Sequence, residues 1–352
     1  MVHVNNHSPF PAELFSFPDQ DGQEMLVLVV SATFEGCQSD LKPADKQAPV
    51  QVADEHFGKP EITSVRREAD VAVTKSLVDL VVNGTAYAPD GRPAQRVAVE
   101  LQVADIQKRL FVYGDRFHTP LGTLTPAEPF VTMPIVYERA FGGSSAEGDD
   151  RKYIRFRGNP VGLGFRSLHS RVPGITTHAP NIEDANGTSH EVPAGFGFVS
   201  RGWSPRLEYA GTYDQGWIDT QWPLPPNDFD VRHYQGAPAD QQSEQISGGE
   251  RIRLVNLTPD GVWEFLLPQI DLQSRLIFAD HSKDVFPKLD TVVIEPDTRR
   301  IYMSLRLKIP LLRNVHLREV CIGEVSGGYV LSRVRRKAFF DFGRTRRIGT
   351  GR

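Results

Sequence analysis

The stretch DTVVIEPDTRRIYMSLRLKIP, residues 290–310, predicts a β-hairpin and with it the class of the fold. Two runs rich in β-branched and aliphatic residues, TVVIE and RIYMSLRL, flank the tripeptide Pro296-Asp297-Thr298. Proline presets φ at the start of a turn, and Asp and Thr side chains bond to nearby backbone there. We therefore expect two antiparallel strands joined by a tight turn.

Similar patterns occur on both sides of this hairpin. VAVELQV (Val97–Val103) alternates Val, Val, Leu and Val on one face with Ala, Glu and Gln on the other. RLFVYGDRF (Arg109–Phe117) follows after five residues, so the pair predicts a second antiparallel hairpin. MLVLVVSATF (Met25–Phe34) is typical of a buried strand, and VCIGEV (Val320–Val325) and YVLSRV (Tyr329–Val334) are predicted to close the pattern as strands.

The composition favours many short strands rather than helices. Of 352 residues, 39% are hydrophobic and 24% are charged, which is typical of a globular protein. Gly and Pro number 30 and 26, and this density of turn formers suits strands joined by tight turns. We predict a mainly β fold, an antiparallel β-sandwich-like architecture with long ordered loops rich in Gly, Pro and aromatic residues. Helix should account for less than about a fifth of the residues, below the usual third.

The chain divides into four segments by composition. Residues 1–141 are predicted to form an N-terminal β lobe, and residues 246–342 a C-terminal β lobe. Residues 142–245 are dense in Gly, Pro, Asp, Asn and aromatics, and a structureless loop of that length is uncommon in a compact domain. We interpret them as a loop-rich central segment packed on the lobes. Residues 343–352 are predicted to be a basic flexible tail.

The charge is uneven along the chain. Residues 331–352 hold eight Lys or Arg against one acid, a net charge of +7, whereas the whole chain carries −4. A basic tail on an acidic body predicts interaction through that tail with a protein, a nucleic acid or the body itself. Because no stacking aromatics accompany the basic run, we expect no nucleic-acid partner. No secretory signal is apparent, and the longest apolar run, Met25–Val30, is far shorter than a membrane span. Cys37 and Cys321 build no disulfide framework, so a cytoplasmic protein without membrane insertion is expected.

Two glycine-containing phrases raise the question of phosphate binding. YERAFGG (Tyr137–Gly143) and NPVGLGF (Asn159–Phe165) each lack the strand-turn-helix context and the GKS or GKT sequence of a phosphate loop. We predict that their glycines allow tight or closely packed backbone at strand ends. A surface that a partner protein reads is the alternative.

An acidic cluster is the most chemistry-like feature. Asp214, Asp228, Asp230, His233 and Asp240 could bind a divalent cation or form an acid/base pair. Aspartate also initiates turns by bonding its own backbone, and the Pro-Asn-Asp context suits that role. Turn chemistry, a partner contact, and a metal or catalytic site all stay open. No catalytic, metal or cofactor-binding residue is assigned.

Aromatic residues accompany the glycines of the central segment. They could form a ligand-binding shelf, plug the core beneath irregular backbone, or in part form a recognition patch. The residues are Phe196, Phe198, Trp203, Tyr209, Tyr213, Trp217 and Trp222.

A series of phrases resembles a known bacterial family. In order they are KSLVDLVVNGTAYAPDGRPA, KRLFVYGDR, MPIVYERAFGG, GNPVGLGF, PAGFGFVSRGWSPR, AGTYDQGW and PPNDFDVRHYQGAPADQ. The series resembles a bacterial domain-of-unknown-function family whose genes lie beside type VI secretion components. The similarity runs from about Lys75 to Leu267, with a continuation to Leu307. Each stretch alone is weak evidence for the family, whereas seven stretches in the same order are specific for it.

The resemblance implies a function. Members of that family are regarded as adaptors or chaperones that load toxic effectors onto the VgrG and PAAR proteins of the secretion spike. The expected partners are thus an effector protein, a PAAR or a VgrG protein, and the chain is not expected to be an enzyme. The alternatives are a hydrolase or metal-dependent enzyme with its site in residues 210–242, or a phage-tail-like structural component. Candidate partner-binding residues are Arg139, Phe141, Phe165, Phe196, Phe198, Trp203, Asp230 and His233.

Overall fold

A computed structural model describes most of the chain. The described residues are 2–36, 40–119, 123–147, 152–166, 177–187, 189, 191–311 and 316–335. The predicted flexible tail, residues 343–352, and Cys37 lie outside this part of the chain.

The described part contains 26 strands and two α-helices. The strands are β1 (His3–Asn6), β2 (Ala12–Pro18), β3 (Glu24–Glu35), β4 (Lys42–Pro43), β5 (Glu55–His56), β6 (Val65–Arg67), β7 (Val78–Val82), β8 (Thr85–Tyr87), β9 (Arg96–Val103), β10 (Ile106–Tyr113), β11 (Phe117–His118), β12 (Thr132–Pro134), β13 (Phe141–Gly142), β14 (Ser144–Glu147), β15 (Lys152–Arg155), β16 (Leu163–Gly164), β17 (Thr177–His178), β18 (Ile182–Asp184), β19 (Gln242–Ser243), β20 (Arg251–Val255), β21 (Val262–Leu266), β22 (Ser274–Phe278), β23 (Ser282–Val285), β24 (Lys288–Glu295), β25 (Arg300–Pro310) and β26 (Leu317–Ile322). The helices are α1 (Gln215–Thr220) and α2 (Gly327–Val334).

The fold class is the predicted one. Strand accounts for 40% and helix, with its short 3-10 turns, for 11% of the described residues. The sheets are mostly antiparallel, which confirms a mainly β protein with little helix. No helix in the described ranges is long and apolar enough to cross a membrane.

A seven-stranded sheet carries the predicted hairpin at its centre. Its order is β19-β7-β24-β25-β3-β2, with β4 also pairing with β3. The hairpin is β24–β25, in which Val292 pairs with Met303 and Glu295 with Arg300. Arg299 closes the turn in the left-handed region at φ 53°. Strands β24 and β7 run parallel, and the other pairs of this sheet are antiparallel.

Two further sheets complete the frame. Five antiparallel strands follow the order β18-β10-β9-β20-β21, and the predicted second hairpin is β9–β10 within it. Four strands follow the order β1-β26-β22-β23, with β1 and β26 parallel. Strands from residues 1–141 and 246–342 share all three sheets, while residues 142–245 add only the edge strands β18 and β19. The division of the chain into lobes stays a prediction.

The main core contains residues from all three sheets. Leu28 and Val30 of β3 belong to the same buried cluster as Val99 and Leu101 of β9. Val29, which alternates with them on β3, belongs to a smaller cluster on the opposite face. Both faces of the seven-stranded sheet are therefore covered, which explains why β3 is apolar at nearly every position.

The predicted strand YVLSRV is wrong, because it forms helix α2. The Ser326 hydroxyl caps the helix by accepting from the Tyr329 amide at 3.2 Å. Arg333, one turn further on, donates to Glu319 of β26 at 2.6 Å, so the helix is fastened to the four-stranded sheet. A short apolar run satisfies both helix and strand patterns, and the cap decided between them.

Candidate functional site

The two glycine phrases pair with each other. Strand β13 of the first phrase runs parallel to β16 of the second, with Phe141 opposite Leu163 and Gly142 opposite Gly164. The Leu163 amide donates to the Ala140 carbonyl at 2.8 Å. The glycines thus allow two chain segments to pair closely at their strand ends, as the sequence predicted.

Asn159 is the buried centre of this junction. Its side-chain amide donates to the Tyr137 carbonyl at 2.8 Å and to the Phe141 carbonyl at 3.0 Å. Gly142 has a φ of 148°, and a Cβ there would lie 2.1 Å from the Asn159 carbonyl oxygen. Only glycine fits this approach, since real Cβ atoms do not come within 3 Å of a neighbour.

Three predicted partner-binding residues lie at the junction. The Phe141 ring is buried against Phe156 at 5.1 Å between ring centroids, and Phe165 is half-buried on Phe156 at 5.4 Å. The Arg139 side chain is about one third exposed and lies 3.5 Å from Asp115. Of the three, Arg139 is the most available to a partner, although its guanidinium is already paired.

Three more predicted residues are buried. Phe196 lies in the main core at 0% exposure, and Phe198 packs with Val81 of β7 in a second cluster. Trp203 meets the Tyr137 ring edge-to-face at 5.5 Å. These rings pack the central segment against the rest of the protein. A contact between them and a partner protein stays a prediction.

A buried ion cluster that sequence reasoning missed lies beneath the loops. Glu68 accepts from Arg201 Nε at 2.9 Å and lies 2.7 Å from Arg206 Nη1. Burial would raise the pKa of Glu68, but the two guanidinium groups and Lys75 outweigh burial and hold it below its ordinary value. Arg206 also donates to the His233 carbonyl at 2.7 Å. The cluster therefore ties three distant segments together.

Asp79 is a second buried carboxylate that binds several segments of the chain. Its carboxylate accepts from Lys75 Nζ at 2.7 Å, from the Gln235 side chain at 3.0 Å and from the Gly236 amide at 2.8 Å. The Ala237 amide adds a fourth hydrogen bond at 3.1 Å. These contacts fasten the segment before β19 to β7, and the neutral partners satisfy the carboxylate as a buried ion requires.

The predicted acidic cluster is spread over separate structural contacts. Asp214 caps α1 through the Trp217 amide at 2.9 Å, and Asp240 pairs with Lys108 at 2.8 Å. Asp230 caps a 3-10 turn and pairs with Arg232 at 2.6 Å. No three His, Cys, Asp or Glu side chains converge on a metal-sized site in the described ranges.

His233 and Asp228 complete that group. The His233 ring lies 3.0 Å from the Arg206 carbonyl, and burial lowers its pKa, so a neutral ring that donates through Nδ1 fits best. Asp228 accepts from the Thr212 amide at 2.9 Å and the Thr212 hydroxyl at 2.7 Å. These hydrogen bonds lower the pKa of the exposed Asp228 carboxyl.

A group of exposed apolar side chains lies on residues 207–231, which we call the arm. Trp222 is 66% exposed, Tyr213 57% and Ile218 52%. Leu207 and Val231 at its ends are also exposed, so five of the 15 exposed large apolar side chains in the described part fall in this short segment. Several exposed large apolar side chains in one short segment are a feature of interaction sites in soluble proteins.

The arm is held in place despite its exposure. The Trp217 indole donates to the Leu224 carbonyl at 2.9 Å, and its ring meets Tyr213 edge-to-face at 4.8 Å. Gln20, in the turn between β2 and β3, donates to the Pro226 carbonyl at 3.1 Å. The exposed rings therefore stand on a fixed base, which lowers the entropy lost when a partner binds.

A separate cleft of about 750 Å³ opens beside the seven-stranded sheet, where β7 and β24 begin. Its walls include Lys75, Lys288 and Arg306 together with the apolar side chains of Leu307 and Phe286. Phe286 is 57% exposed. The cleft is large enough for a small ligand, but its mixed charges favour no particular chemistry.

Comparison with known families matches this architecture over most of its length. A family model described as an uncharacterized protein conserved in bacteria (DUF2169) matches residues 21–306. The chain belongs to DUF2169. The match runs from just before β3 into β25, and it includes the arm, the glycine junction, the Glu68 ion cluster and the buried Asp79. No curated protein and no solved structure gives a significant match.

The family assignment confirms the bacterial domain-of-unknown-function part of the resemblance. The link of DUF2169 to type VI secretion stays a prediction. Of the functional candidates, the sequence named the arm's Tyr213 and Trp222 only as members of a mixed aromatic set. Their exposure has no local signal, because Phe196 and Phe198 stand in similar glycine-rich surroundings and are buried.

Proposed function

We propose that this DUF2169 protein is a type VI secretion adaptor or chaperone that binds a cognate effector, or its PAAR-bearing segment, and helps load it onto the VgrG spike. The observation that carries the proposal is the arm, where Tyr213, Ile218 and Trp222 expose apolar surface on a fixed base. Trp and Tyr are enriched among the residues that dominate binding energy at protein interfaces. The ordered series of family-like phrases supplies the link to secretion.

Loading has to be specific and reversible. A small apolar patch of three side chains fits an interface of modest area, in which a few anchors carry most of the affinity. Because the arm is preorganised, little ordering energy opposes binding, and a modest contact can still be selective. An adaptor of this kind can release its cargo when the spike offers a competing surface.

The proposal is tested by deleting the gene in the native host and measuring effector delivery to prey cells. Delivery of one cognate effector should be lost, while the secretion machine still assembles and delivers other effectors. Capture from the same host with mass spectrometry identifies the bound protein. Unchanged delivery of every effector, or killing of cells by this protein alone in their cytosol, would overturn the adaptor function.

The surface is tested separately with Trp222→Ala and Tyr213→Ala in the full chain. Both should abolish capture of the effector, and the melting temperature should stay close to that of the unchanged protein because the rings are exposed. Phe286→Ala is the matched control, since it removes a similarly exposed ring from the cleft. If Phe286→Ala alone blocks capture, the cleft and not the arm binds the effector.

A further inference from the structure

The charge of the arm is as distinctive as its exposed rings. Residues 207–231 contain five acids and no Lys or Arg. Residues 1–41, which include β2, β3 and the turn between them, contain six acids and again no Lys or Arg. An exposed aromatic surface therefore lies among carboxylates, in a chain that carries 40 Lys and Arg in total.

The two acidic segments touch. Gln20 of the β2–β3 turn donates to the Pro226 carbonyl at 3.1 Å, and a Cβ added at Gly22 would contact Leu224 at 3.5 Å. Asp21 in that turn is exposed, as are Asp214 and Asp219 on the arm. The β2–β3 turn and the arm are therefore adjacent, and both carry exposed carboxylates.

All but one of the arm carboxylates are satisfied by neutral donors, and the exception, Asp230, pairs with Arg232 just beyond the arm at 2.6 Å. Asp214 accepts from the Trp217 amide at 2.9 Å, Asp219 from the Gln215 side chain at 2.8 Å, and Asp228 from Thr212. None of these three acids forms an ion pair with a residue of the described ranges. Their negative charge is therefore not compensated within the described part of the protein.

Resting on the proposed function, we infer that the arm and the β2–β3 turn dock a Lys- and Arg-rich segment of the partner protein. Guanidinium and ammonium groups bind the faces of exposed Trp and Tyr rings, so Trp222 and Tyr213 attract the same groups as the carboxylates do. A segment with basic residues and short apolar side chains matches both features of the surface. Electrostatic complementarity then speeds association and rejects acidic segments.

The test uses the full chain and a fluorescein-labelled peptide of alternating Arg and Gly, with a Glu-Gly peptide of equal length as its counterpart. Fluorescence anisotropy should show binding of the Arg peptide only, weakened at least about tenfold from 50 to 500 mM NaCl because salt screens exposed charges. Asp214→Asn with Asp219→Asn should weaken binding about fivefold, since each exposed pair contributes little. Trp222→Ala should weaken binding by a similar factor.

Asparagine keeps the helix cap at position 214, so the charge changes without loss of the turn. The matched control is Asp45→Asn with Glu61→Gln, which removes two exposed carboxylates elsewhere and should leave the affinity unchanged. Equal weakening by this control would show attraction to net charge alone and would overturn the inference. Binding of the Glu-Gly peptide would overturn it as well.

The basic tail of the chain is the competing occupant. Arg344→Gln with Arg346→Gln and Arg347→Gln lowers the tail charge in the full chain. Affinity for the Arg peptide that rises tenfold in this variant would mean that the tail covers the arm, and the partner-segment inference would be wrong. A different outcome separates the two proposals: Trp222→Ala abolishes binding of the native partner, while neither salt nor Asp214→Asn with Asp219→Asn changes the affinity for that partner. In that case the adaptor function is supported and the inference of a cationic segment is wrong.

Discussion

The side-chain amide of Asn159 donates to the main-chain carbonyl of Tyr137 at 2.8 Å and thereby closes the contact between two phrases 22 residues apart. Asn159 is 0% exposed, so water cannot replace it. Tyr137 in turn packs edge-to-face on Trp203, so the contact also helps to position an aromatic ring of the central segment.

We expect Asn159→Ala to lower the free energy of unfolding by about 3 kcal/mol, because the buried Phe141 carbonyl loses its donor and the Tyr137 carbonyl keeps only the Ala140 amide. Urea unfolding followed by tryptophan fluorescence measures the change. Asn186→Ala, at an exposed position, is the control and should change stability by less than about 0.5 kcal/mol. Equal effects of the two substitutions would contradict the buried role of Asn159.

Gly142→Ala should be among the most destabilising glycine substitutions. Its Cβ would overlap the Asn159 carbonyl at 2.1 Å, and its φ of 148° is poorly populated by alanine. The expected loss is more than about 3 kcal/mol, from overpacking and backbone strain together. Gly202→Ala meets nothing within 4 Å and should be neutral within about 1 kcal/mol. A soluble, cooperatively melting Gly142→Ala protein of unchanged stability would refute this.

Asp79→Asn should destabilise the protein by about 3–5 kcal/mol, since it removes the carboxylate that is directly paired with the buried Lys75 ammonium group. Lys75 has a side-chain exposure of only 6%, so solvent cannot compensate the ammonium group. Chemical denaturation measures the loss, and Asp45→Asn, which is exposed, serves as the control. Should the two variants unfold at the same urea concentration, the Asp79 carboxylate does not stabilise the fold.

The contribution of Glu319 to the free energy of unfolding should depend on pH in the acid range. Burial would raise its pKa, but the hydrogen bonds from Tyr329 and Arg333 outweigh burial and hold the pKa below the ordinary value. Its contribution is therefore complete above the unfolded pKa of about 4.3 and is lost as the pH falls through the lower, folded pKa. Glu319→Gln should cost about 2 kcal/mol at pH 7 and progressively less below pH 4.

The measurement is a series of urea midpoints between pH 7 and pH 2.5 for both proteins. The two stability curves should converge at low pH, because a protonated Glu319 resembles Gln in shape and charge. Glu324→Gln, at an exposed position in the same segment, is expected to follow the unchanged protein at every pH. If the difference in stability between Glu319→Gln and the unchanged protein stays constant with pH, Glu319 acts by packing and not by charge.

Local patterns in the sequence predicted two kinds of strand. The first kind has one apolar and one polar face, and the second kind is joined by a turn with typical turn-forming residues. The alternation of Val97, Val99, Leu101 and Val103 places all four in the main core, as a period of two requires. The Pro296-Asp297-Thr298 turn likewise predicted the β24–β25 hairpin, because turn chemistry depends only on adjacent residues. Helix α2 was not predicted, because the six residues Tyr329–Val334 fit both the helix and the strand period and the Ser326 cap decides for the helix.

By itself, the sequence determined the mainly β class, the hairpins and the membership of a bacterial family. Only the tertiary structure decided which aromatic rings are buried and which are exposed, and it alone brought Glu68 to Arg201, 133 positions away. Phe196 is buried and Trp222 exposed although both stand near glycines and prolines. The physical reason is that alternation and turn propensity act between neighbours, whereas burial and ion pairing depend on segments that meet only after the sheets have packed.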